Sequence, residues 1–566
     1  MSGAWVEPVE YETKVVGVAG LAKGLLEQVG VAAAIDAALS SQPTIGASYG
    51  QLAEAVIINR MTFDPRPLYQ MSEWAEQHGI DRLLGIEASW LDDDRLGGLL
   101  EGLAGQQVTI WTAVLQQAVA QYKVELGWLR EDTTSVYFEG AYSDEQGQPK
   151  GGEAPRIPRL VNGYNKDGKP RKVQMVLSLL TGGATGRVPL WYRPWNGNQT
   201  DEPVYVADMA ALRATLLAPA NAVLLGDRKL CTEATLRTFS RQGQQFLAPH
   251  PWTDTAKAVW QTTWADLEAG RLTWTMVEYA SEHRRQQPAD ARPVHRVCEV
   301  AHELLDPEAG TSYRLRWLFT WSSTKATQDA ARRAQVLAAG EQALTRAAGL
   351  LGKYDYKRRA TIEARLDQAL RRARAHPYLT YQLAGTDADQ AWRLTWTVDQ
   401  PALDAAISLD GVVLLCSNVP PDRCSAPELV IRHKGQIGVE QTIDFLKSPV
   451  QIRPLWLHSP RRIAGLTLLI MLAVLLAALV EHQVRAWIAR TGQLVRGLMP
   501  DKRDTTRPTA KALLRAFQDY ALIIMHLADG STMIHAPKLR PVQQQIWSIM
   551  DLPPVLLEPL RAGSGK

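Results

Sequence analysis

Residues 129–138 read LREDTTSVYF, a run rich in apolar and β-branched residues that predicts a β-strand containing Asp132. A second run of this type, NAVLLGDRK at residues 221–229, places Asp227 just past the end of a strand. A carboxylate at such a position points out of the edge of a sheet. The two stretches therefore predict a mixed α/β fold that carries two acidic side chains at one sheet edge.

A third acidic residue, Glu440, lies in the stretch SAPELVIRHKGQIGVEQTIDFLK at residues 425–447. Its first residue, Ser425, is typical of an N-cap, and the stretch predicts one helix with Glu440 in its middle. Three carboxylates that meet in the fold can hold two metal ions about 3.5–4 Å apart, the arrangement used for in-line displacement at phosphorus. Hard cations such as Mg²⁺ and Mn²⁺ prefer oxygen ligands, which favours carboxylates over His or Cys.

The changes of hydrophobic period around Asp132 and Asp227 predict an ordered series of elements. The turn TGGATGR, residues 181–187, supplies hairpin glycines between the second and third strands. The order β-β-β-α-β-α-β, with acidic residues on the first and fourth strands, is that of an RNase H-like core. The predicted elements are strands at 129–140, 173–180 and 188–195, a helix at 201–216, a strand at 221–227, a helix at 232–243 and a strand at 245–249.

The rest of the chain divides around this core. The predicted fold class is α/β, with an RNase H-like core interrupted by a large β-rich and helical insertion and preceded by an α-helical domain. The predicted domains are an N-terminal helical domain at 1–125, expected to bind DNA, the first part of the core at 126–249, the insertion at 250–409, the second part of the core with the Glu440 helix at 410–490, and a C-terminal helical tail at 491–566.

Composition restricts the class of protein. The 566 residues carry a formal charge of +3, so the chain is no general polycation and any nucleic-acid surface must be local. The N-terminus has no basic stretch followed by an apolar one, which argues against secretion. Four cysteines without zinc-type spacing favour a reduced, cytoplasmic compartment; they are Cys231, Cys298, Cys416 and Cys424.

The segment IAGLTLLIMLAVLLAALV, residues 463–480, has two interpretations. A helix that is apolar on all sides is what the centre of a large α/β domain requires. The same length could also cross a membrane once, at about 1.5 Å of rise per residue. The sequence favours the buried helix and no membrane, with a membrane anchor as the alternative.

The predicted insertion contains a strongly basic segment at residues 353–376, with eight basic and three acidic residues. It is either an ordinary solvated helix face or a surface that follows DNA phosphates with salt-dependent affinity. The alternating strands of the insertion place its tryptophans mostly on the core face of a sheet; these are Trp264, Trp274, Trp317, Trp321, Trp392 and Trp396.

Five local matches give the chain a resemblance to a known family. They are DTTSVYFEG with Asp132, NGYNKDGKPRKVQMVLSLL from Asn162, GNQTD at 197–201, LLGDR with Asp227, and a helix in which Glu440 and Lys447 are seven residues apart. With these motifs the sequence resembles the DDE transposases of bacterial insertion sequences, in the cut-and-paste group whose catalytic core is split by a β-rich insertion.

The resemblance implies metal-dependent DNA strand cleavage and strand transfer at terminal inverted repeats. It implies that Asp132, Asp227 and Glu440 are the catalytic carboxylates and bind Mg²⁺ or Mn²⁺. The implied partner is double-stranded DNA, both the terminal repeats and the target, held by a homodimer in the bacterial cytoplasm at the nucleoid. One tryptophan of the insertion is then expected to stack on a flipped base.

The family pattern Tyr, two residues, Arg, three residues, Glu is altered here. His433 and Gln436 occupy the positions of Tyr and Arg, with Lys434 close enough to replace a phosphate contact. A catalytically weak or domesticated DNA-binding protein is therefore the alternative function. The expected DNA contacts are Lys447, His433, Lys434, Gln436 and Arg228.

Overall fold

The computed structural model describes residues 8–39, 46–139, 157–166, 168–169, 171–215, 219–279, 288, 291–435, 437–447, 457–499, 504–558 and 560. The chain forms two compact units. The first combines Met1–Gln244 with Gln436–Lys566, and the second is Gln245–Gly435. Asp132, Asp227 and Glu440 all belong to the first unit.

The first unit begins with a strand and continues with helices that bury one apolar side. The helix Asp93–Leu103, for example, has leucines at positions 96, 99, 100 and 103, which is the spacing of one helix face, and all four are buried. The elements are β1 (Pro8–Val15), α1 (Ala19–Gln28), α2 (Val31–Ala38), α3 (Tyr49–Met61), α4 (Met71–His78), α5 (Ile80–Leu84), α6 (Asp93–Leu103) and α7 (Gln107–Tyr122).

The predicted series of strands and helices after α7 is confirmed. In the first unit, β2 (Trp128–Tyr137) pairs antiparallel with β3 (Gln174–Gly182), and β3 pairs antiparallel with β4 (Val188–Trp195). On its other side β2 pairs parallel with β5 (Val223–Leu225), which gives the order β4-β3-β2-β5. The parallel register pairs Arg130 with Leu225. The elements are β2 (Trp128–Tyr137), β3 (Gln174–Gly182), β4 (Val188–Trp195), α8 (Glu202–Ala214), β5 (Val223–Leu225) and α9 (Glu233–Arg241).

The second unit contains a sheet of neighbouring strands in the order β6-β12-β9-β8-β7. Of the tryptophans assigned to strands of the insertion, Trp317 and Trp321 lie in a strand, Thr311–Ser322, whereas Trp264 lies in a helix, Asp254–Glu268. The elements are β6 (Gln245–Pro249), α10 (Asp254–Glu268), β7 (Thr275–Met276), β8 (His295–Asp306), β9 (Thr311–Ser322), α11 (Ser323–Ala348), α12 (Arg359–Ala373), β10 (Leu379–Ala384), β11 (Arg393–Val398), α13 (Gln400–Ser408), β12 (Val412–Ser417) and α14 (Ala426–Lys434).

A separate apolar cluster holds α11, α12 and the hairpin β10–β11 together. Leu344 of α11 and Leu366 of α12 are fully buried in it, and Trp392 and Trp396 pack against it from the hairpin. These two tryptophans thus lie on the core face of the hairpin, as the alternation of the strand predicted.

The first unit is completed by the C-terminal part of the chain, in which α16 (Pro460–Thr491) is the central helix. From Ile463 to Val480 every residue of α16 is buried, and it packs against α3, α6, α7 and β4. By length and composition α16 could cross a membrane, yet its most apolar window is 100% buried, so the expected burial is confirmed. The elements are α15 (Ile437–Lys447), α16 (Pro460–Thr491), α17 (Ala510–Arg515), β13 (Ala521–Leu527), β14 (Thr532–His535) and α18 (Pro541–Ile549).

The sequence interpretation of residues 512–525 as one helix in a helical tail was wrong. The helix α17 ends at Arg515, and residues 521–527 form β13, which pairs with β1 on one side and β14 on the other. Short apolar runs fit a helix or a strand equally well, and Ile523 and Ile524 are β-branched residues that favour a strand once a partner is present. That partner, β1, lies at the opposite end of the sequence, where only helices were expected.

A buried histidine of α16 makes the stability of the first unit depend on pH. The His482 ring is buried, its Nε2–H donates to the Tyr122 carbonyl at 3.2 Å, and its Nδ1 has no partner among the described residues. Burial lowers the pKa of His482, because a second proton would have no acceptor and the charge would lie in an apolar interior.

We expect His482 to lower the thermal unfolding midpoint of the wild type relative to His482→Gln as the pH falls from about 7.5 to 5.5. The unfolded chain takes up the proton near the ordinary pKa of about 6.5, before the folded chain does, which removes up to ~1.4 kcal/mol of stability per pH unit. His482→Gln keeps an N–H donor for Tyr122 and should not show this loss, whereas the buried carboxyls Glu131 and Asp208, whose pKa values are raised, act with the opposite sign in both proteins. His535→Gln on exposed β14 is the matched control. An unchanged slope in the His482 variant would contradict the prediction.

Candidate active site

The parallel pairing of β2 with β5 brings Asp132 and Asp227 to the same edge of the sheet. Arg130 is in register with Leu225, and each aspartate lies two residues further along its chain. Adjacent strands are about 4.8 Å apart, so the two side chains are neighbours. Partial burial raises the pKa of Asp132, and the negative charges of Asp227 and Asp201 add to this, whereas Lys166 and the Thr133 N–H act in the opposite direction.

One oxygen of each aspartate is fixed by hydrogen bonds. Asp132 Oδ1 accepts from the Thr133 N–H at 2.7 Å. Asp227 Oδ1 accepts from the Lys229 N–H at 2.8 Å and from the Tyr205 hydroxyl at 2.6 Å. Within the part of the chain that the structure describes, Oδ2 of both residues has no hydrogen-bond partner. The two side chains are therefore oriented, and each has an oxygen left for a cation.

Helix α8 supplies the orienting tyrosine. Val204, Tyr205 and Asp208 form its buried side, and Asp201, just before the helix, continues this side toward the sheet. Burial first, and then the charge of Asp227, raise the pKa of Tyr205, which keeps its hydroxyl protonated and therefore a donor. Sequence reasoning missed Tyr205. The available signal was its helical spacing from Asp201, the last residue of GNQTD.

Two lysines and a further carboxylate complete the site. Lys166 Nζ lies 3.7 Å from Asp132 Oδ1 and 4.0 Å from Asp201 Oδ2. Lys229 forms an ion pair with Asp201, whose other oxygen accepts from the Thr133 hydroxyl at 2.7 Å. Burial alone would raise the pKa of Asp201, but the hydrogen bonds from Lys229 and Thr133 hold it below its usual value.

Glu440 has a different position from the one predicted. The expected single helix consists of α14 and α15, which are separate helices, and Glu440 lies in the first turn of α15 with an exposed side chain. Gly435 ends α14, and a Cβ on Gly438 would lie 2.4 Å from the Gly186 carbonyl oxygen. This close approach fixes α15 on the turn between β3 and β4.

Helix α15 packs on β2 and β3, the strands next to the aspartate pair. Thr442 donates to the Arg187 carbonyl at 3.0 Å, which holds the helix in place. Among the described residues, however, no group of three His, Cys, Asp or Glu side chains lies close enough together to hold a metal ion. The structure thus brings together two of the three predicted carboxylates.

A family comparison assigns the chain. Residues 134–476, more than half of the sequence, match the model of the family described as "Transposase DDE domain". The chain belongs to this family. The match contains Asp227 and Glu440 and begins two residues after Asp132. The protein is thus a DNA-processing enzyme of DNA transposition and recombination.

Other comparisons add less to this assignment. Residues 11–115 of the transposase match a domain of unknown function (DUF4277). No curated protein matches the chain. A solved structure described as a crystal structure of a pre-cleavage Mos1 transpososome is similar at 13% identity, covering 41% of this chain and 67% of that one, with a TM-score of 0.14. The assignment rests on the family match, because such a TM-score does not establish a shared fold.

The residues predicted to contact DNA are dispersed over the transposase. Arg228 is exposed directly after Asp227, and Lys447 lies in the last turn of α15. His433 and Lys434 lie in the last turn of α14, in the second unit. Lys434 packs there with Nζ 5.5 Å from the centre of the Tyr279 ring, and burial lowers its pKa. Gln436 lies outside the described residues.

A buried polar layer lies on the other face of β2, which alternates its side chains. Glu131 and Asp208 are fully buried. Burial raises the pKa of Asp208 to about 6, and burial together with the Asp208 charge raises that of Glu131. Arg193 Nε lies 3.1 Å from Asp208, and Trp191 Nε1 donates to it at 3.3 Å. This layer holds α8 against the strand that carries Asp132.

Removal of the Tyr205 hydroxyl should weaken metal binding by the transposase. We expect Tyr205→Phe to reduce Mn²⁺ affinity about tenfold or more, because the groups that orient a ligand typically contribute 10- to 100-fold. Calorimetry on the protein without DNA would measure this. Tyr192→Phe is the matched control, since the buried Tyr192 hydroxyl has no hydrogen-bond partner in the described chain. Equal Mn²⁺ affinity in the two variants would contradict the role of Tyr205.

Proposed function

We propose that the transposase cleaves DNA strands at the terminal inverted repeats of an insertion sequence and transfers them to target DNA. The observation that carries this proposal is the pair Asp132 and Asp227, aligned on parallel strands with one hydrogen-bonded and one available oxygen each. The proposal includes an RNase H-like core formed by the sheet around β2, with residues 250–409 as the large insertion.

The donor set fits a hard divalent cation. DDE transposases generally use divalent metal ions, and carboxylate oxygens suit Mg²⁺ or Mn²⁺. Asp132 and Asp227 would hold the metal through their Oδ2 atoms, and Glu440 would join them from α15. Bound metal supplies the Lewis acidity that makes water or a 3′-OH nucleophilic and stabilises the leaving oxygen.

The residues of the chain prepare this chemistry before DNA arrives. The Thr133 and Lys229 N–H groups and Tyr205 fix the two aspartates, so little reorganisation is needed on binding. Glu440 lies on a helix that packs against β2 and β3. We propose that its exposed side chain turns toward the two aspartates when the metal binds.

Three isosteric substitutions test the proposal. Asp132→Asn, Asp227→Asn and Glu440→Gln each keep the shape of the side chain but remove a metal-binding charge. We expect each to abolish cleavage of the element's own ends while gel-shift affinity for the same DNA is retained. Asp254→Asn, at a fully exposed surface aspartate, is the control. Substantial cleavage by one of the three variants would remove that residue from the catalytic set.

The choice of metal is a separate test. Activity should require Mg²⁺ or Mn²⁺, whereas Ca²⁺ should support DNA binding with little cleavage, because its longer and looser bonds place the attacking oxygen poorly. Cleavage assays with each metal after removal of bound ions would decide this. Cleavage that requires Zn²⁺ and does not change when Mg²⁺ is added would contradict the proposal that a hard cation binds the carboxylate oxygens.

The alternative function is a catalytically weak or domesticated DNA-binding protein. The exposed position of Glu440 and the presence of His433 and Gln436 at altered motif positions favour it. The same assays separate the two functions. A wild-type protein that binds the element ends but does not cut them with any divalent metal is the domesticated form.

We further propose that a homodimer acts on DNA at the nucleoid in the bacterial cytoplasm. Excision must cut two ends together, and closed symmetric dimers are the commonest oligomers. If residues 512–525 formed one helix, its apolar stripe could pack against a second copy, but part of this segment is the paired strand β13, so it gives the dimer no support. Light scattering with and without end DNA should detect two chains per pair of ends. An excision-competent complex with one chain per pair would exclude the dimer.

A further inference from the structure

Asp201 lies beside the aspartate pair, but its oxygens are used differently. Oδ1 accepts from the Thr133 hydroxyl at 2.7 Å, and Oδ2 is bound by the Lys229 ammonium group. The residue is only 7% exposed. Asp132 and Asp227 each have one oxygen without a partner in the described chain, whereas both oxygens of Asp201 are engaged. Asp201 therefore binds ammonium groups of the protein's own lysines, Lys229 and Lys166.

The hydrogen bonds around Asp201 run in a fixed direction. Lys166 Nζ donates to the Thr133 carbonyl and to Thr133 Oγ1, both at 2.7 Å. The Thr133 hydroxyl has a single proton, which it donates to Asp201, so its lone pair faces Lys166. The result is a hydrogen-bond network from Lys166 through Thr133 to Asp201, in which Lys229 binds Asp201 Oδ2, the oxygen that lies 4.0 Å from Lys166 Nζ.

This hydrogen-bond network leaves the ammonium groups of Lys166 and Lys229 next to the carboxylates and accessible to solvent. The Lys166 side chain is 30% exposed and that of Lys229 is 53% exposed. Lys166 lies near Asp132, and the backbone of Lys229 is hydrogen-bonded to Asp227. Ion pairs between exposed partners contribute little, but a buried carboxylate restricts where its lysines can go.

We propose that Asp201 is a positioning residue that holds Lys166 and Lys229 as contacts for the phosphates of the DNA strand to be cut. This inference rests on the proposed function of the Asp132 and Asp227 pair. A lysine ammonium binds phosphate as a point charge. One such charge beside each aspartate places the strand across the site and reduces the repulsion between DNA and the carboxylates. Asp201 itself does not bind the metal.

The test compares Asp201→Asn, Lys166→Met and Lys229→Met in two measurements that need no catalysis. The first is Mn²⁺ affinity of the protein without DNA. The second is the salt dependence of end-DNA affinity in the absence of metal, since each lost phosphate contact reduces the slope of log K against log salt by about 0.9. Lys169→Met, an exposed lysine three residues from Lys166, is the control.

We expect Lys166→Met and Lys229→Met each to reduce the salt slope by about 0.9, and Asp201→Asn to reduce it as well. The two lysine variants should keep Mn²⁺ affinity within about threefold or increase it, because the loss of a nearby cation does not weaken the attraction between the carboxylates and the metal. Asp201→Asn removes an anion that is already paired with Lys229, so it should lower Mn²⁺ affinity by no more than about threefold. Single-turnover cleavage should fall at least tenfold in each. Lys166→Arg and Lys229→Arg should restore the slope, which a purely structural role would not require.

Two outcomes would overturn the inference. A loss of Mn²⁺ affinity of more than tenfold in Asp201→Asn would make Asp201 a metal ligand. Salt slopes equal to wild type in both methionine variants would show that the lysines do not contact DNA. If Asp201→Asn does not fold, the two exposed lysines still decide. Asp132→Asn is measured in parallel, because unchanged Mn²⁺ affinity in that variant counts against the proposed function and not against the lysines.

Discussion

The pairing of β2 with β5 is the interaction on which the site depends. It joins strands that are far apart in the chain, and its register decides whether Asp132 and Asp227 meet. A shift of one residue would turn one of the two side chains to the opposite face of the sheet. The antiparallel strands β3 and β4 continue the sheet on the other side of β2, and the helix α16 packs against β4.

Two like charges at one sheet edge are unfavourable unless other groups compensate them, and α8 organises the compensation. Its inward side reaches the aspartate pair through Tyr205 and the buried layer through Asp208, and Asp201 precedes it as the anchor of two lysines. One helix therefore contributes both to the hydrogen bonds of Asp227 beyond the end of β5 and to the buried layer on one face of β2. The cost of burying these groups is offset because most of them have partners, which is the condition under which buried polar networks specify a structure.

The sequence predicted those parts of the molecule that local patterns determine. The strands and helices from 129 to 249, the turn between β3 and β4 and the burial of α16 follow from hydrophobic period and turn residues. Contacts between distant segments were not predictable in this way. Lys166 carries no local signal for its partners, and the only signal for Tyr205 is its helical spacing from Asp201. The division between α14 and α15 falls after Lys434 in a pattern that fits one helix, and β13 pairs with β1 from a distant part of the chain. For the candidate site, the aspartate pair was predictable and the groups that orient it were not.

The three-stranded sheet β1–β13–β14 joins strands that are far apart in the chain and has a consequence for biosynthesis. The strand β1 leaves the ribosome well before its partner β13 is made. At about 5–20 residues per second, β1 waits roughly half a minute to two minutes with an unpaired edge. For most of this time the first unit also lacks α15 and α16. A nascent chain therefore cannot complete its first unit until β13 has been made, so the enzyme passes this interval of its own synthesis without a finished fold.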